Sequence, residues 1–343
     1  MDALDVNPRI LKALEKSKLQ DYGSILSLSG PDISRATQLT SGDVGILQNA
    51  VADVVMKKLP VMKAIDLLNG DVPSLPKHSR LSMGCHVLDA FLHGGIPSRG
   101  ITEIAGESGS GKTQICLQLC LTAQLPKTLG GLDGGAVYVC TEDVFPNKRL
   151  HQMMKIFTEK YKNHPDAKDL KPGDKIFIEH ASEKDDLTCC INKRIPMLLT
   201  RGLVKLIVID SMAALFRCDY SVREAVHRAK DLGSFGSRLR GFSDQHGVPV
   251  VCVNQVTDVV GTGDSRNRKS MPALGLTWSN QVTTRLLVSR TNQVVTLSQR
   301  NELGETVETF ESTVRILEVG FAPHLPQSQC QYIVDEEGVK GLS

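Results

Sequence analysis

Apolar positions in the first part of the chain recur at the spacing of amphipathic helices. Two stripes stand out, the first at Ile10, Leu11 and Leu14 and the second at Val44, Leu47, Val51, Val54 and Val55. Side chains three and four positions apart lie on one face of a helix, so each stripe predicts a helix with one buried side. Residues 1–58 are therefore expected to form a small helical domain.

Residues 59–80 interrupt this pattern and predict a linker. The segment contains Pro60, Pro73 and Pro76, and proline lacks the N–H group that a continuing helix requires. We expect this linker to join the helical domain to a larger domain that spans residues 81–343.

In the larger domain, short apolar runs that suit strands alternate with stretches that suit helices. The runs are residues 101–105, 137–140, 176–179, 204–209, 250–254 and 284–289. This alternation predicts an α/β fold with a twisted, mostly parallel sheet and helices on its faces. Glu142, Asp210 and Gln255 follow the ends of three runs. Because ligands bind beyond the carboxyl ends of parallel strands, we expect these side chains to share one site.

A complete phosphate-binding loop, or P-loop, follows the run at 101–105. It comprises Gly106, Glu107, Ser108, Gly109, Ser110, Gly111, Lys112 and Thr113. The glycines at 106, 109 and 111 permit positive φ and let main-chain N–H groups approach a polyphosphate at a helix N-terminus. Lys112 is expected to reach the β- and γ-phosphates of ATP, and Thr113 to offer its hydroxyl to Mg²⁺. A glycine-rich turn without a ligand is the alternative, but the full motif between a strand and a helix favours nucleotide binding.

The three polar residues at the strand ends have candidate roles around this loop. Asp210 is expected to hold Mg²⁺ through its water shell, although an aspartate there could instead cap the next turn. Glu142 is the candidate base that activates the attacking water, or a carboxylate that favours a helix N-terminus. Gln255 is the candidate sensor of the γ-phosphate, and an amide at this place could equally cap a turn.

Composition places the chain among folded globular proteins. Its residues are 41% apolar and 23% charged, as in a domain with a sizeable core. No apolar stretch approaches the roughly 18 residues of a spanning helix, and a signal-peptide pattern is absent from the first residues, so we expect an intracellular protein without membrane association. Nine cysteines without a Cys-x-x-Cys pair indicate reduced thiols. The net charge of +2 decides little, because nucleic-acid binding depends on where basic residues cluster.

The larger domain resembles the RecA-type recombinases, and among them the eukaryotic strand-exchange group. The resemblance rests on residues 94–96, 100–103, 106–116, 138–142 and 254–256, and it extends from about residue 81 to the C-terminus. It implies a RecA-like ATPase core with Glu142 as the catalytic glutamate and Lys112 and Gln255 beside the γ-phosphate. It also implies that Arg149 stacks on adenine, which suits a planar guanidinium.

Two segments match the DNA-facing loops of this family, residues 217–224 and 256–273. The basic candidates are Arg217 and Arg223 in the first segment and Arg266, Arg268 and Lys269 in the second. Cations in a glycine-containing loop suit the phosphate backbone of single-stranded or branched DNA, with salt-dependent affinity. A solvated polar loop is the alternative. The first segment lacks the glycine-flanked arginine of strand-exchange proteins, which argues against independent strand exchange.

Four further positions concern assembly with other subunits. Val61 and Ala64 resemble the Phe-x-x-Ala segment by which recombinases add a strand to the next ATPase domain, although an ordinary linker helix would give the same spacing. Valine in place of phenylalanine buries less apolar area, by about 1–2 kcal/mol, and favours a specialised partner. Pro326 matches the residue that covers a neighbour's adenine, whereas Phe321 stands where recombinases place an acidic cap.

The resemblance as a whole implies a recombinase paralogue that binds ATP and Mg²⁺, binds DNA and supports recombinase filaments in homologous recombination repair of double-strand breaks. Its expected partner is another recombinase paralogue, the C paralogue, in a hetero-oligomer. Weak DNA-dependent ATP hydrolysis is expected. The alternatives are an autonomous DNA-dependent ATPase or strand-exchange enzyme and a non-catalytic ATP-binding adaptor. The family also implies residence in the nucleus, with a cytoplasmic pool.

Overall fold

A computed structural model describes residues 4–17, 19, 21–56, 63–65, 79–142, 144–218, 224–258, 270–300 and 306–342, with side chains left undescribed at 56, 217–218, 258, 270–271, 297–300 and 306–308. The chain divides into two compact units, residues 1–77 and 78–343. None of the described helices is both long and apolar enough to cross a membrane. The cysteine side chains that the structure describes are all free thiols.

The first unit contains helices with a shared apolar core. They are α1 (Pro8–Lys16), α2 (Tyr22–Ser27), α3 (Gly30–Thr37) and α4 (Ser41–Met56). Polar caps begin three of them, because the side chains of Asn7, Asp21 and Ser29 accept main-chain N–H groups of the first turn. The core consists of buried residues from both predicted stripes together with Ile25 and Ile33. The predicted N-terminal helices are thus confirmed.

The described residues of the second unit form twelve strands and the helices that connect them. The strands are β1 (Arg80–Leu81), β2 (Ile96–Pro97), β3 (Ile101–Gly106), β4 (Gly135–Cys140), β5 (Ile176–His180), β6 (Val204–Asp210), β7 (Val250–Asp258), β8 (Ser270–Pro272), β9 (Thr284–Arg300), β10 (Thr306–Phe321), β11 (Gln329–Val334) and β12 (Val339–Gly341). The helices are α5 (His86–Phe91), α6 (Lys112–Thr122), α7 (Asn147–Tyr161), α8 (Lys184–Cys189), α9 (Ile195–Thr200), α10 (Met212–Cys218), α11 (Ala225–His246) and α12 (Gly275–Ser279). A π-helical turn, Cys190–Arg194, joins α8 to α9.

One large sheet organises this unit, with the strand order β12-β11-β10-β9-β3-β7-β6-β4-β5 and with β8 paired to β7. The strands from β9 to β5 in this order are parallel neighbours. Strands β10, β11 and β12 add antiparallel pairs at one edge. A separate two-stranded sheet pairs β1 with β2. The predicted α/β fold with a mostly parallel sheet is confirmed.

Burial on both faces explains why the central strands read as continuous apolar runs. Every residue of β3 and β4 is buried. On β4, Tyr138 belongs to one apolar cluster with α6 residues, whereas Val137 and Val139 belong to a second cluster with residues of α8 to α11. Successive side chains of a strand point to opposite faces, so these clusters fill the two sides of the sheet.

The C-terminal strands β10 to β12 are absent from the sequence-based set of strands. The apolar run at 284–289 also extends further than predicted, because β9 continues to Arg300 and pairs with β10 as a long antiparallel hairpin. Exposed and polar side chains alternate with buried ones along this edge, as on a strand with one solvated face. Such strands have no continuous apolar run by which to recognise them.

Candidate nucleotide-binding site

A cleft of about 820 Å³ opens at the carboxyl ends of the central strands. Its walls include most of the P-loop together with Glu142, Arg149, Asp210 and Gln255. The C-terminal part of the chain contributes Phe310, Arg315, Val334, Asp335 and Glu336. The structure therefore brings together residues that lie far apart in the sequence, as expected for the carboxyl edge of a parallel sheet.

The P-loop joins β3 to α6 through two glycines with positive φ. These angles are 74° at Gly109 and 101° at Gly111, which is the residue before α6. Gly106 does not share this conformation, so the expectation of positive φ there is wrong. It remains in β3, where a Cβ atom would lie 2.1 Å from the carbonyl oxygen of Val288 on β9. Glycine is required at 106 by close packing of two main chains.

The ammonium group of Lys112 lies within the loop. It donates hydrogen bonds to the carbonyl oxygens of Gly106 (2.8 Å) and Glu107 (2.6 Å). Burial lowers the pKa of Lys112, and the carboxylates of Asp210 and Glu142 partly oppose this shift. A cation held within the loop can donate charge-assisted hydrogen bonds to the terminal phosphates of a nucleotide bound there.

Thr113 and Asp210 form the part of the site that fits a divalent cation. The Thr113 hydroxyl donates to Oδ2 of Asp210 at 2.7 Å, and the hydroxyl of Tyr138 donates to the same oxygen at 2.5 Å. Burial raises the pKa of Asp210, although these two hydrogen bonds act in the opposite direction. Mg²⁺ is commonly bound by one or two protein oxygens, several waters and substrate phosphates, so this sparse donor set fits that ion.

Glu142 and Gln255 contact each other across the cleft. The side-chain amide of Gln255 donates to Oε1 of Glu142 at 2.9 Å, and the hydroxyl of Ser211 donates to the same oxygen. Ser211 is fixed by Thr141, whose Oγ1 accepts the Ser211 N–H at 2.8 Å and donates to the Ser211 carbonyl at 2.5 Å. The candidate base and the candidate sensor are thus one hydrogen-bonded unit, and Ser211 is a member that the sequence interpretation missed.

Arg149 also lines the cleft, where it is held by four acceptors. Its guanidinium donates to the side chains of Gln114 (2.6 Å) and Gln152 (2.6 Å) and to the main-chain carbonyls of Asp335 (2.5 Å) and Glu336 (3.1 Å). Burial lowers the pKa of Arg149, and the charges of Asp335 and Glu336 oppose this effect. The N–H groups of a guanidinium lie in its plane, so these bonds do not themselves occupy the faces on which a ring could stack.

The turn between β11 and β12 positions these two carbonyls. The Asp335 side chain accepts the main-chain N–H groups of Glu337 (2.9 Å) and Gly338 (3.1 Å), and Lys340 forms an ion pair with Asp335 at 2.8 Å. Gln118 attaches the turn to α6, since it accepts the N–H of Val339 at 2.5 Å. Sequence reasoning missed this wall, although an Asp with Gly three residues later is a turn signal.

A protein-family model described as Rad51 matches residues 77–342. The chain belongs to the Rad51 family. It is 44% identical to DNA repair protein XRCC3 of Mus musculus over 355 residues, covering 100% of this chain and 98% of that protein. It is 35% identical to the XRCC3 homolog of Arabidopsis thaliana (77% and 93% covered) and 31% identical to DNA repair protein rhp57 of Schizosaccharomyces pombe (76% and 78% covered). These relatives support a role in homologous recombination repair.

Phe321, the departure noted in the sequence, has a partner within this Rad51-family core. Its ring lies under the guanidinium of Arg285, 4.9 Å from the ring centroid. Arg285 forms an ion pair with the fully buried Glu103, which also accepts hydrogen bonds from Asn254 (2.7 Å) and Trp278 (2.9 Å). Phe321 therefore covers a buried charge pair, and a cation–π contact of this kind is stabilising.

The structure leaves most of the predicted DNA and partner residues of this Rad51-family chain undetermined. Val61, Arg223, Arg266, Arg268 and Lys269 lie outside the described residues. Arg217 is in α10, but its side chain is not described. Ala64 is helical and exposed, and Pro326 is exposed after β10. The assignments to DNA and to partners remain predictions from the resemblance.

Proposed function

We propose that this chain is an ATP-binding recombinase paralogue that binds DNA and assembles with other recombinase paralogues to promote homologous recombination repair of double-strand breaks. The observation that carries the proposal is the convergence of Lys112, the Thr113–Asp210 pair and the Glu142–Gln255 pair around one P-loop. A cation, metal-binding oxygens and a candidate base are the groups that hydrolysis of a nucleoside triphosphate with Mg²⁺ requires.

Each of these groups has a defined task in the proposal. Lys112 neutralises charge on the terminal phosphates, and Thr113 with Asp210 holds the metal and its waters. Glu142 accepts a proton from the attacking water, while Gln255 exchanges its bond to Glu142 for a bond to the γ-phosphate. Bound ATP with Mg²⁺ supplies a phosphoanhydride whose cleavage ends the bias toward one assembled state.

DNA and partner binding complete the proposal and draw on family membership. The cations of residues 217–224 and 256–273 would contact the phosphates of single-stranded or branched DNA. The segment around Val61 and Ala64 would dock on the C paralogue, and Pro326 would face a nucleotide held by a neighbouring subunit. The complex would act beside recombinase filaments in the nucleus, with a cytoplasmic pool.

Nucleotide titration tests the central step. A fluorescent ATP analogue with Mg²⁺ should bind the purified chain saturably, and Lys112→Ala should weaken this binding at least about tenfold, since it removes a charged hydrogen-bond donor. Lys127→Ala is the matched control, because that lysine is exposed and outside the cleft. No saturable binding by the native chain, or equal binding by Lys112→Ala, would contradict the proposal.

A second candidate, a non-catalytic adaptor that uses ATP structurally, is favoured by one contact. Oε1 of Glu142 already accepts hydrogen bonds from Ser211 and Gln255, so this oxygen serves a structural contact and only the other carboxylate oxygen remains for a water. Glu142→Gln separates the candidates. If this variant binds ATP and partners normally and restores repair in deficient cells, turnover is dispensable and the adaptor is supported. If it binds ATP but fails in repair, hydrolysis is required.

A further inference from the structure

The hydroxyl of Tyr138 contacts the carboxylate of Asp210, the acidic group of the candidate metal site. Tyr138 lies on β4 and Asp210 ends β6, and these strands are parallel neighbours with Tyr138 opposite Val208. Because side chains alternate along a strand, Tyr138, Val208 and Asp210 project from the same face of the sheet. The register of two strands thus brings the tyrosine hydroxyl to 2.5 Å from Oδ2 of Asp210.

The two oxygens of Asp210 are used unequally. Oδ2 accepts hydrogen bonds from both Tyr138 and Thr113, whereas no described residue donates a hydrogen bond to Oδ1. An ionised carboxylate offers about four acceptor positions on its two oxygens. Two hydroxyls on one oxygen fix the plane of the carboxylate and leave the other oxygen to the water shell of a cation.

We propose that the hydroxyl of Tyr138 holds Asp210 in the orientation that receives Mg²⁺ beside Thr113. The inference rests on the proposed function, since it requires that a nucleotide with Mg²⁺ occupies the cleft. Partners that orient metal ligands in this way typically change metal affinity by about 10- to 100-fold when removed.

The surroundings of Tyr138 favour this role over that of a core filler. The residue is 1% exposed, and its ring packs edge-on against Phe145 with the centroids 5.0 Å apart. Phenylalanine would fill the same space without a buried hydroxyl that requires a partner. The hydroxyl of Tyr138 nevertheless has a partner, the carboxylate of Asp210.

Tyr138→Phe tests the proposal because it removes the hydroxyl and keeps the ring. The full chain is titrated with a fluorescent ATP analogue in EDTA and again at increasing Mg²⁺. We expect the midpoint of the Mg²⁺ dependence to rise roughly tenfold, while affinity in EDTA stays at the native value. Direct Mn²⁺ binding, followed by electron paramagnetic resonance in the presence of a nonhydrolysable analogue, should weaken by the same factor.

Tyr332→Phe is the matched control. The Tyr332 hydroxyl is also buried beside the P-loop, but it donates to the main-chain carbonyl of Ser110 at 2.5 Å and not to a carboxylate. This variant should leave the Mg²⁺ midpoint unchanged. Thermal unfolding by circular dichroism establishes that both variants are folded at the temperature of the titration.

Two results would overturn the assignment of Tyr138. The first is a native Mg²⁺ midpoint in folded Tyr138→Phe, which would make the hydroxyl bond incidental. The second is an equal loss of affinity with and without Mg²⁺, which would assign Tyr138 to packing of the P-loop. A native chain that shows no Mg²⁺-dependent nucleotide binding is a different outcome, because it overturns the proposed function itself and the inference with it.

Discussion

The guanidinium of Arg149 donates a hydrogen bond to the main-chain carbonyl oxygen of Asp335 at 2.5 Å. Arg149 lies in α7 and Asp335 follows β11, so this bond joins the parallel half of the core to its antiparallel edge. The same guanidinium also donates to Gln114 on α6. Helix α6, helix α7 and the turn after β11 therefore fix one planar cation in the wall of the cleft.

Arg149→Ala should weaken binding of an ATP analogue by about 2- to 30-fold, the range that a cation–π contact of 0.5–2 kcal/mol gives. Arg149→Lys should not restore affinity, because an ammonium group cannot reproduce the planar stack or its several bonds. Isothermal titration of both variants measures the effect. Lys148→Ala, at an exposed neighbour, is the control, and full affinity in Arg149→Ala would remove this residue from the site.

Gly338→Ala should destabilise the core and weaken nucleotide binding together. The residue has a φ of 137°, and a Cβ atom there would lie 2.1 Å from Oε1 of Gln118, so either the turn that carries the Asp335 carbonyl or the hydrogen-bonded Gln118 side chain must move. We expect a loss of about 1–3 kcal/mol in the free energy of unfolding, measured by urea denaturation.

Gly247→Ala provides the matched control for that experiment. Gly247 also has a positive φ, 62°, but no atom lies within 4 Å of the position of its Cβ. The variant should therefore show only backbone strain, a smaller loss of stability and native nucleotide affinity. Equal effects from Gly338→Ala and Gly247→Ala would mean that the contact with Gln118 does not matter.

His324 predicts a pH dependence of stability. Burial lowers the pKa of His324, and the charges of Arg80 and His93 act in the same direction; its Nε2 has no hydrogen-bond partner among the described residues. Because the folded-state pKa lies below that of the unfolded chain, the unfolded chain binds the proton first as pH falls. The contribution of His324 to stability is therefore present above a pH of about 6.5 and lost as pH falls below it.

Replacement by a neutral residue isolates this contribution. Urea denaturation at pH 7.5 and 5.5 should show a smaller loss of stability on acidification for His324→Gln than for the native chain. His227→Gln, at an exposed position, should behave like the native chain. An identical acid response of native and His324→Gln chains would show that His324 does not titrate differently on folding.

Removal of the cations in the second DNA-facing segment should change the salt dependence of DNA binding. Alanine at Arg266, Arg268 and Lys269 should weaken single-stranded DNA binding and reduce the slope of log K against log salt by about 2, since each phosphate contact contributes roughly 0.7. The slope is measured by fluorescence anisotropy from about 50 to 200 mM salt, a range over which such effects are large. Alanine at the exposed residues Lys168, Lys171 and Lys175 is the control with equal charge change; equal slopes would exclude the segment.

Substitutions in the linker segment should abolish binding of a partner without affecting binding of nucleotide. Glutamate at Val61 and Ala64 should abolish co-purification with another recombinase paralogue, because a charge would enter an apolar docking site, while ATP affinity stays native. Lys63→Glu controls for the change of charge at an exposed neighbour. A complex that survives the double replacement would place the interface on another surface.

The sequence was sufficient to predict where the P-loop and Asp210 lie in the fold. The strand before the P-loop is buried on both faces, so it appears as an uninterrupted apolar run, and the loop has its own spacing signal. The acidic strand end at Asp210 follows from the same logic. Gly106 shows the limit of this reasoning, because the reason for its glycine is the carbonyl oxygen of Val288, a neighbour set by sheet order and not by local sequence.

The remaining walls of the cleft depend on tertiary contacts that leave little signal in the local sequence. Asp335 and Glu336 contribute main-chain carbonyls, and a carbonyl is common to every residue type. The hydroxyls of Ser211 and Tyr138 donate hydrogen bonds to the carboxylates of Glu142 and Asp210. Many proteins contain such hydroxyl residues in or beside buried strands without a functional partner. Strand order and register had to be known before these contacts could be assigned.

The reciprocal bonds between Gln118 and Val339 join residues that are 221 positions apart. Contacts of such large separation in sequence carry a high entropic cost of chain closure. The P-loop depends on a contact of the same kind, because Ser110 accepts a hydrogen bond from Tyr332, so the loop and the Asp335 turn are both complete only when the last strands are in place. If the chain binds nucleotide as proposed, tight binding would require the folded C-terminal strands, and an assembly that selects for the nucleotide-bound form would exclude a partly folded subunit.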